Sequence, residues 1–221
     1  DFSTMMDTFS KMKVEFSSAT ERFDTSTPMG RAMMYIASVF SQLERETIAE
    51  RIRDNMHELA KTGRWLGGNT PTGYESEEIV NISVDGKRRK ACKLKVIPSE
   101  WALVEGIYDK FFENASLTKT DKYLLSNGIK TKTGKPFSRF AIRSILTTPV
   151  YMVADEDAYK YFEDCGVYIY ADKKAFDGKH GVMVYNRTLQ KKGKSNKIRP
   201  MDEWIVSVGK HEGMIPGAKW V

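Results

Sequence analysis

Apolar residues recur along this chain at helical spacing in some stretches and in short β-rich runs in others, and the changes mark its parts. Phe2, Met5, Met6, Phe9 and Met12 fall three and four apart, which predicts a short amphipathic helix, and "KVEFSSA" from Lys13 reads as a short strand. A polar stretch, "TERFDTSTPMGR", follows, in which Thr25, Ser26 or Thr27 can cap a helix and Pro28 suits its first turn. From there Met29, Met33, Ile36, Phe40 and Leu43 step by four, three, four and three, a seam of coiled-coil type. Ile48, Ile52, Met56 and Leu59 form a second stripe. A helix over about residues 28 to 61 would be roughly 50 Å long at 1.5 Å per residue, too long for the short helix and strand before it to cover. Its stripe is expected to meet another copy of the chain or a further portion of the protein. Between the two stripes lies "ERETIAERIRD", where charges outnumber the two large aliphatics, Ile48 and Ile52.

Gly63 is placed to end that helix, and "TGRWLGGNTPTGY" is too rich in glycine and proline for helix or strand, so it reads as a linker. Arg64 and Trp65 are unusual in a passive tether. Next, "EIVNISVDGKRRKACKLKVIP" has two β-rich runs around "DG", a hairpin signal, with Arg88 and Arg89 near its tip. Pro98 starts a helix whose Trp101, Val104, Ile107, Tyr108 and Phe111 form a core stripe. Two short helices follow. The first is capped by Ser116 and runs to Leu125, and a turn at Asn127-Gly128 leads through a loop bearing Lys130, Lys132 and Lys135. The second is capped by Ser138 and stops before Pro149. In series they resemble a helix-turn-helix with an enlarged turn. Arg139 and Arg143, four apart, share one face of the second helix, while Ile142, Ile145 and Leu146 supply an apolar one. A solvated basic face would look similar, but the loop lysines argue for a polyanion. The tail from Tyr151 reads as short strands and turns, "QKKGKSNKIRP" as an exposed loop, and "EWIVSVGKHEGMIPGAKWV" as a strand and turn with no closing helix. His211, in "KHEG", reads as a structural turn residue.

Charge sharpens this division. The 221 residues carry a net charge of +6, yet residues 1–60 hold seven basic and ten acidic side chains, so the whole excess lies beyond residue 60. Such asymmetry points to a polyanionic partner for the second part. No run of about 18 apolar residues exists to cross a bilayer, so no membrane partner is expected. Cys92 and Cys165 lie outside any CxxC, and His57, His180 and His211 are scattered. No metal site, cofactor or disulfide framework is expected, and free thiols suit a cytoplasmic location.

At "FDTSTPMGRAMMYIASVFSQLERETIAERIRD" the sequence resembles the serine recombinases. With "GRWLGGNTPTGY" and "TKTGKPFSRFAIRSILTTPVY" it resembles their large branch, the phage integrases and conjugative-element transposases, in the family's order over nearly the whole chain. The fold this implies is α+β: the C-terminal remnant of an α/β resolvase-type catalytic domain with a long helix (residues 1–62), a linker (63–75), and a mainly helical DNA-binding recombinase domain with a β-hairpin and a helix-turn-helix-like unit (76–221). In that family the nucleophilic serine precedes the segment resembling residues 1–13, and a zinc-ribbon and coiled-coil part follows. No serine here sits in the nucleophile motif, so none is assigned. The chain is expected to be a piece of a longer protein that binds DNA but is catalytically incomplete.

The resemblance implies site-specific recombination by transesterification. The serine attacks a DNA phosphate, a phosphoserine link conserves the bond's energy, and the ends religate within a tetramer without ATP or metal. Fixed cations then have to meet the charge of the transition state, and arginine suits that task better than lysine. Arg45 matches the family's active-site arginine on the long helix. Arg51 and Glu50 match a second pair, and Glu44 is expected to orient Arg45; the alternative for all four is surface pairing at i,i+4. By the same resemblance Arg64 enters a minor groove, with Trp65 packing on a sugar or on protein. Arg139 and Arg143, with Ser138 at the cap, enter a major groove, and Lys130, Lys132 and Lys135 lie on phosphates. The expected partners are a double-stranded attachment site and further copies of the chain, as homodimer or tetramer. A non-catalytic DNA-binding regulator with a helical dimerisation arm fits the same basic half, and a structural coiled-coil adaptor would have no DNA affinity.

Overall fold

A computed structural model describes residues 24–79, 91–190 and 193–221, together with residues 5, 8, 9, 11, 12 and 14. Apart from Val14, the strand expected from Lys13 lies outside the described residues, as do the hairpin tip with Arg88 and Arg89 and most of the amphipathic helix expected over residues 2–12. The chain forms two compact units, Asp1–Asn55 and Met56–Val221.

The first unit is dominated by α1 (Pro28–Ala60), a single helix of 33 residues that crosses the division between the units. Its start is stitched locally. Thr27 Oγ1 accepts from Gly30 N at 3.0 Å, which makes Thr27 the cap among the three candidates. Asp24 Oδ1 accepts from Ser26 N at 2.9 Å, a bond that lowers the Asp24 pKa, and Arg31 donates to the carbonyls of Thr25 and Ser26. Met34 is buried, but Met29, Met33, Ile36, Phe40, Leu43, Ile48 and Ile52 are exposed, so the long apolar stripe is uncovered among the described residues.

The second unit begins with the last turn of α1, which is followed by Gly63 in the left-handed region (φ 68°). Residues 61–73 form no helix or strand, as their composition implies, but they are not loose. Trp65 N donates to Cys92 O, and the Tyr185 hydroxyl donates to Arg64 O and accepts from Leu66 N. Tyr151 Oη donates to Thr72 O. The hairpin is present as β1 (Tyr74–Ile79) antiparallel to β2 (Ala91–Val96). Then come α2 (Pro98–Asn114), α3 (Leu117–Ser126) and α4 (Arg139–Leu146). Ser138 caps α4 as expected, accepting from Ala141 N, whereas Ser116 stands at the start of α3 without a side-chain cap bond. Val104, Ile107 and Tyr108 of α2, Leu124 of α3, and Ile142 and Ile145 of α4 meet Tyr74, Leu94 and Tyr151 in one core.

A second core is built where short strands and turns were expected. Residues 156–164 are a helix, α5 (Glu156–Asp164), because Asp155 caps it through Ala158 N and Ala158, Tyr161 and Phe162 recur at helical spacing. It packs with β3 (His180–Tyr185), paired antiparallel to β6 (Ile205–Glu212). Within the basic stretch expected as an exposed loop, β5 (Lys197–Ile198) pairs with β4 (Thr188–Leu189), which lies just before that stretch, although Lys197 and Ile198 are exposed. The chain also closes on a helical turn, α6 (Gly217–Trp220), held by Gly217 N donating to Asp155 Oδ2.

His211 is not a turn residue. It lies in β6, buried, and its Nε2 is 2.8 Å from Val150 O, which sets the proton on that nitrogen. The Tyr74 ring meets it edge-on. A Cβ on Gly181 or Gly209 would come within 2.3 Å of the imidazole, so both positions have to be glycine for the ring to fit. Burial lowers the His211 pKa from 6.5 to about 4. The folded state therefore binds fewer protons than the unfolded one between those values, and stability is lost as pH falls through that window, by about 3 kcal/mol in full. In urea unfolding at a series of pH values, this acid-dependent loss is expected in the native chain and is expected to shrink in His211→Gln. An equal loss in both would refute the assignment.

Candidate nucleic-acid interface

Two sets of basic residues are positioned by the fold, one in each unit. In the first, Glu44, Arg45, Glu50 and Arg51 are all exposed along two turns of α1. Arg45 stands three residues before Ile48 and seven before Ile52, so helical geometry gives it the face of that stripe. Glu44 and Arg51, seven apart, share another. Arg45 Nε donates to Ser41 O at 3.1 Å, and Glu46 is engaged by Gln42 Nε2 at 2.9 Å. Among the described residues none of Glu44, Arg45, Glu50 and Arg51 forms an ion pair, so the i,i+4 surface pairing weighed for them does not form.

In the second unit, α4 presents Arg139 and Arg143 to solvent, while Ile142 and Ile145 anchor its other face in the core. Ser138 Oγ is committed to the cap. The loop before α4 is a tight ribbon. Thr131 N donates to Lys135 O and Gly134 N to Thr131 O, both at 2.8 Å, so Lys130 and Lys135 stand on its two sides. Lys132 turns back instead: its Nζ is 2.8 Å from Glu100 Oε2, which also accepts from Gly73 N. That pair joins the loop to α2 and to the end of residues 61–73, and it removes Lys132 from the freely available cations.

Arg64 is half-buried, and its Nε, buried, finds no hydrogen-bond partner among the described residues. The Trp65 ring packs against the first core and faces protein, and its Nε1 is similarly unpartnered.

Two residues that no sequence motif singles out hold these parts in position. Tyr185, at the end of β3, fixes residues 64–66 through its hydroxyl, and burial pushes its pKa up to about 12. Arg187, two residues on, donates to Thr147 O at the end of α4, and its guanidinium lies 5.0 Å from the Trp204 ring centroid. Burial lowers the Arg187 pKa below its usual value. The one local sign of either was an aromatic and a cation just beyond an apolar strand, which does not name a target.

Among the described residues no cluster of three His, Cys, Asp or Glu could hold a metal ion, and Cys92 and Cys165 are free thiols. No described helix is long and apolar enough to cross a membrane.

Comparisons with known proteins show what the chain is similar to. The DNA-invertase of Escherichia phage P1 is 39% identical over 64 residues, 29% of this chain and 33% of that protein. The serine recombinase gin of Escherichia phage Mu is 34% identical over 83 residues, 37% of this chain and 42% of that protein. The chain thus spans under half the length of these curated relatives. A solved structure described as "Crystal Structure of a LSR-DNA Complex" aligns with a TM-score of 0.39 and 18% identity, covering 77% of this chain and 35% of that one. The profile of the family "Resolvase, N terminal domain" matches residues 1–65. The Recombinase family profile matches residues 98–221, more than half of the chain, which therefore belongs to the Recombinase family.

Proposed function

We propose that this chain serves site-specific recombination of duplex DNA, as part of a serine recombinase of the large branch acting in the cytoplasm. The observation that carries this reading is a set of exposed guanidiniums, Arg45 and Arg51 on one helix and Arg139 and Arg143 on another, left without a carboxylate among the described residues. Several lysines of the second unit, by contrast, are paired with nearby acids. Unpaired arginine at the surface is well suited to phosphate and to guanine edges, because its planar fork binds two acceptors at once.

In this proposal the second unit, residues 56–221, holds the attachment site. The α3–α4 pair acts in the manner of a helix-turn-helix, with α4 in the major groove. Lys130 and Lys135 lie on flanking phosphates, as do Arg88 and Arg89 of the hairpin, and Arg64 reaches the minor groove. Lys132 acts through its bond to Glu100, positioning the loop. The first unit brings Arg45, with Arg51, to the scissile phosphate, where each stabilises charge developing on the non-bridging oxygens as a serine displaces a deoxyribose oxygen. Glu44 and Glu50 orient these arginines once subunits meet. No residue of this chain is assigned as the nucleophile. The exposed stripe of α1 pairs subunits as a homodimer or tetramer, since an apolar seam of this length is unfavourable in water and self-complementary between copies.

Three outcomes test the proposal. In gel-shift titrations with attachment-like duplexes, Arg139→Ala and Arg143→Ala are each expected to weaken binding about ten-fold. Removing one phosphate-binding cation reduces the steepness of log affinity against log salt by roughly 0.9; unchanged affinity in both variants would overturn the DNA-binding assignment. In a strand-exchange assay with the complete gene product, Arg45→Ala is expected to cut the rate by about a hundred-fold or more while leaving binding intact. Undiminished exchange would refute its catalytic role, and a DNA-binding regulator would show no exchange in either protein. Finally, Phe40→Glu is expected to shift the sedimenting species towards monomer, and an unaltered distribution would rule out pairing through this stripe.

A further inference from the structure

The outer face of α4 carries one residue that charge does not account for. Phe140, beside Arg139, is 82% exposed, and among the described residues no other large apolar side chain is exposed as far. It makes no ring contact among the described residues. Leaving a phenyl ring in water forgoes roughly 1.5–3 kcal/mol relative to burying it. A single exposed apolar residue is common and by itself says little; its setting is what gives this one meaning.

Phe140, Arg143 and Ser144 are spaced three and four apart, so they form one stripe on the surface of the helix, with Arg139 at its edge. All four are exposed, whereas Ile142 and Ile145 on the opposite face are buried. The helix is also held at both ends, by the Ser138 cap and by Arg187 on Thr147 O. The direction in which the ring projects is therefore set by the scaffold.

The flanking charges decide what kind of surface suits the ring. A protein partner that covered it would also have to desolvate two arginines that have no carboxylate in this chain's described residues, which is costly unless the partner supplies matching acids. A DNA major groove offers both needs together. Phosphate oxygens and the O6 and N7 atoms of guanine accept from guanidinium, and the C5 methyl of thymine is the one apolar group on a base edge.

We propose that Phe140 is a specificity-determining residue that reads a thymine in the major groove through its C5 methyl group, between bases or phosphates held by Arg139 and Arg143. The proposal rests on the DNA-binding reading of α4 above and adds a base to it. Burying one methyl against the ring is worth about a four-fold change in affinity.

The test selects the best-bound sequence from a pool of random duplexes with the full chain. Each thymine of that duplex is then replaced in turn by deoxyuridine, which keeps the pairing edge and removes the methyl. The native chain is expected to lose about four-fold in affinity at one thymine. Phe140→Ala, which leaves an exposed helical position intact, is expected to bind the thymine and deoxyuridine duplexes alike, and Arg143→Ala to keep the methyl preference at lower affinity. Equal binding of every deoxyuridine duplex by the native chain would overturn the proposal, as would a preference that persists in Phe140→Ala. Failure to enrich or bind any duplex would instead refute the DNA-binding reading itself, and this inference with it.

Discussion

A buried segment without helix or strand has to find partners for its backbone elsewhere, because an amide or carbonyl left bare in the interior costs about as much as a broken hydrogen bond. In the second unit that requirement falls on the covered parts of residues 61–73, a stretch otherwise half-buried or exposed, and tyrosine hydroxyls meet part of it. Tyr185 holds Arg64 O and Leu66 N, and Tyr151 holds Thr72 O. Tyr74, fully buried at the end of this segment, donates to Glu212 O in β6. Its ring lies against Trp101, Tyr151 and His211, so α2, the hairpin and β6 converge on it. Burial raises the pKa of Tyr74, Tyr108 and Tyr151 alike, so these hydroxyls remain donors. What would be a tether by composition is thereby tied to the core, and the placement of Arg64 and Trp65 follows from it.

The same economy governs the surface charges. Several lysines are paired with acids: Lys93 and Lys95 with Glu77, Lys110 with Glu113, Lys173 with Glu156, Lys219 with Asp109. Such exposed pairs add little stability, but they neutralise carboxylates that would otherwise repel a polyanion. Arg199 is similarly joined to Glu203. The arginines of α4 and of the charged joint in α1 are among those left without an acid in the described residues, and all of them are exposed.

Much of the architecture was legible locally. The cap and proline at the start of α1, the proline at the start of α2, the Ser138 cap of α4 and the β-rich runs of the hairpin are signals carried by a few adjacent residues, and each produced its element. The candidate arginines were legible too, as residue types at a helical spacing, and the family match over residues 98–221 agrees with the resemblance that drew attention to them. The tail departs from its expected strands and turns for a specific reason. Its many tyrosines and phenylalanines favour strand by propensity, and that weight masks the Asp155 cap and the helical spacing of Ala158, Tyr161 and Phe162, which tertiary packing rewards.

By itself, the sequence determined where α1 to α4 lie, where the chain turns from acidic to basic, and which residue types stand at the candidate site. Those properties depend on neighbours within a turn or two. The tertiary structure alone decided that Lys132 serves Glu100, 32 positions away, that Trp65 faces the core, that Tyr185 and Arg187 brace residues 64–66 and α4, and that His211 is sealed between two glycines. Each of these joins residues far apart in the chain. Its energy depends on burial and on partners that exist only once the strands and helices have met, and no local pattern encodes them.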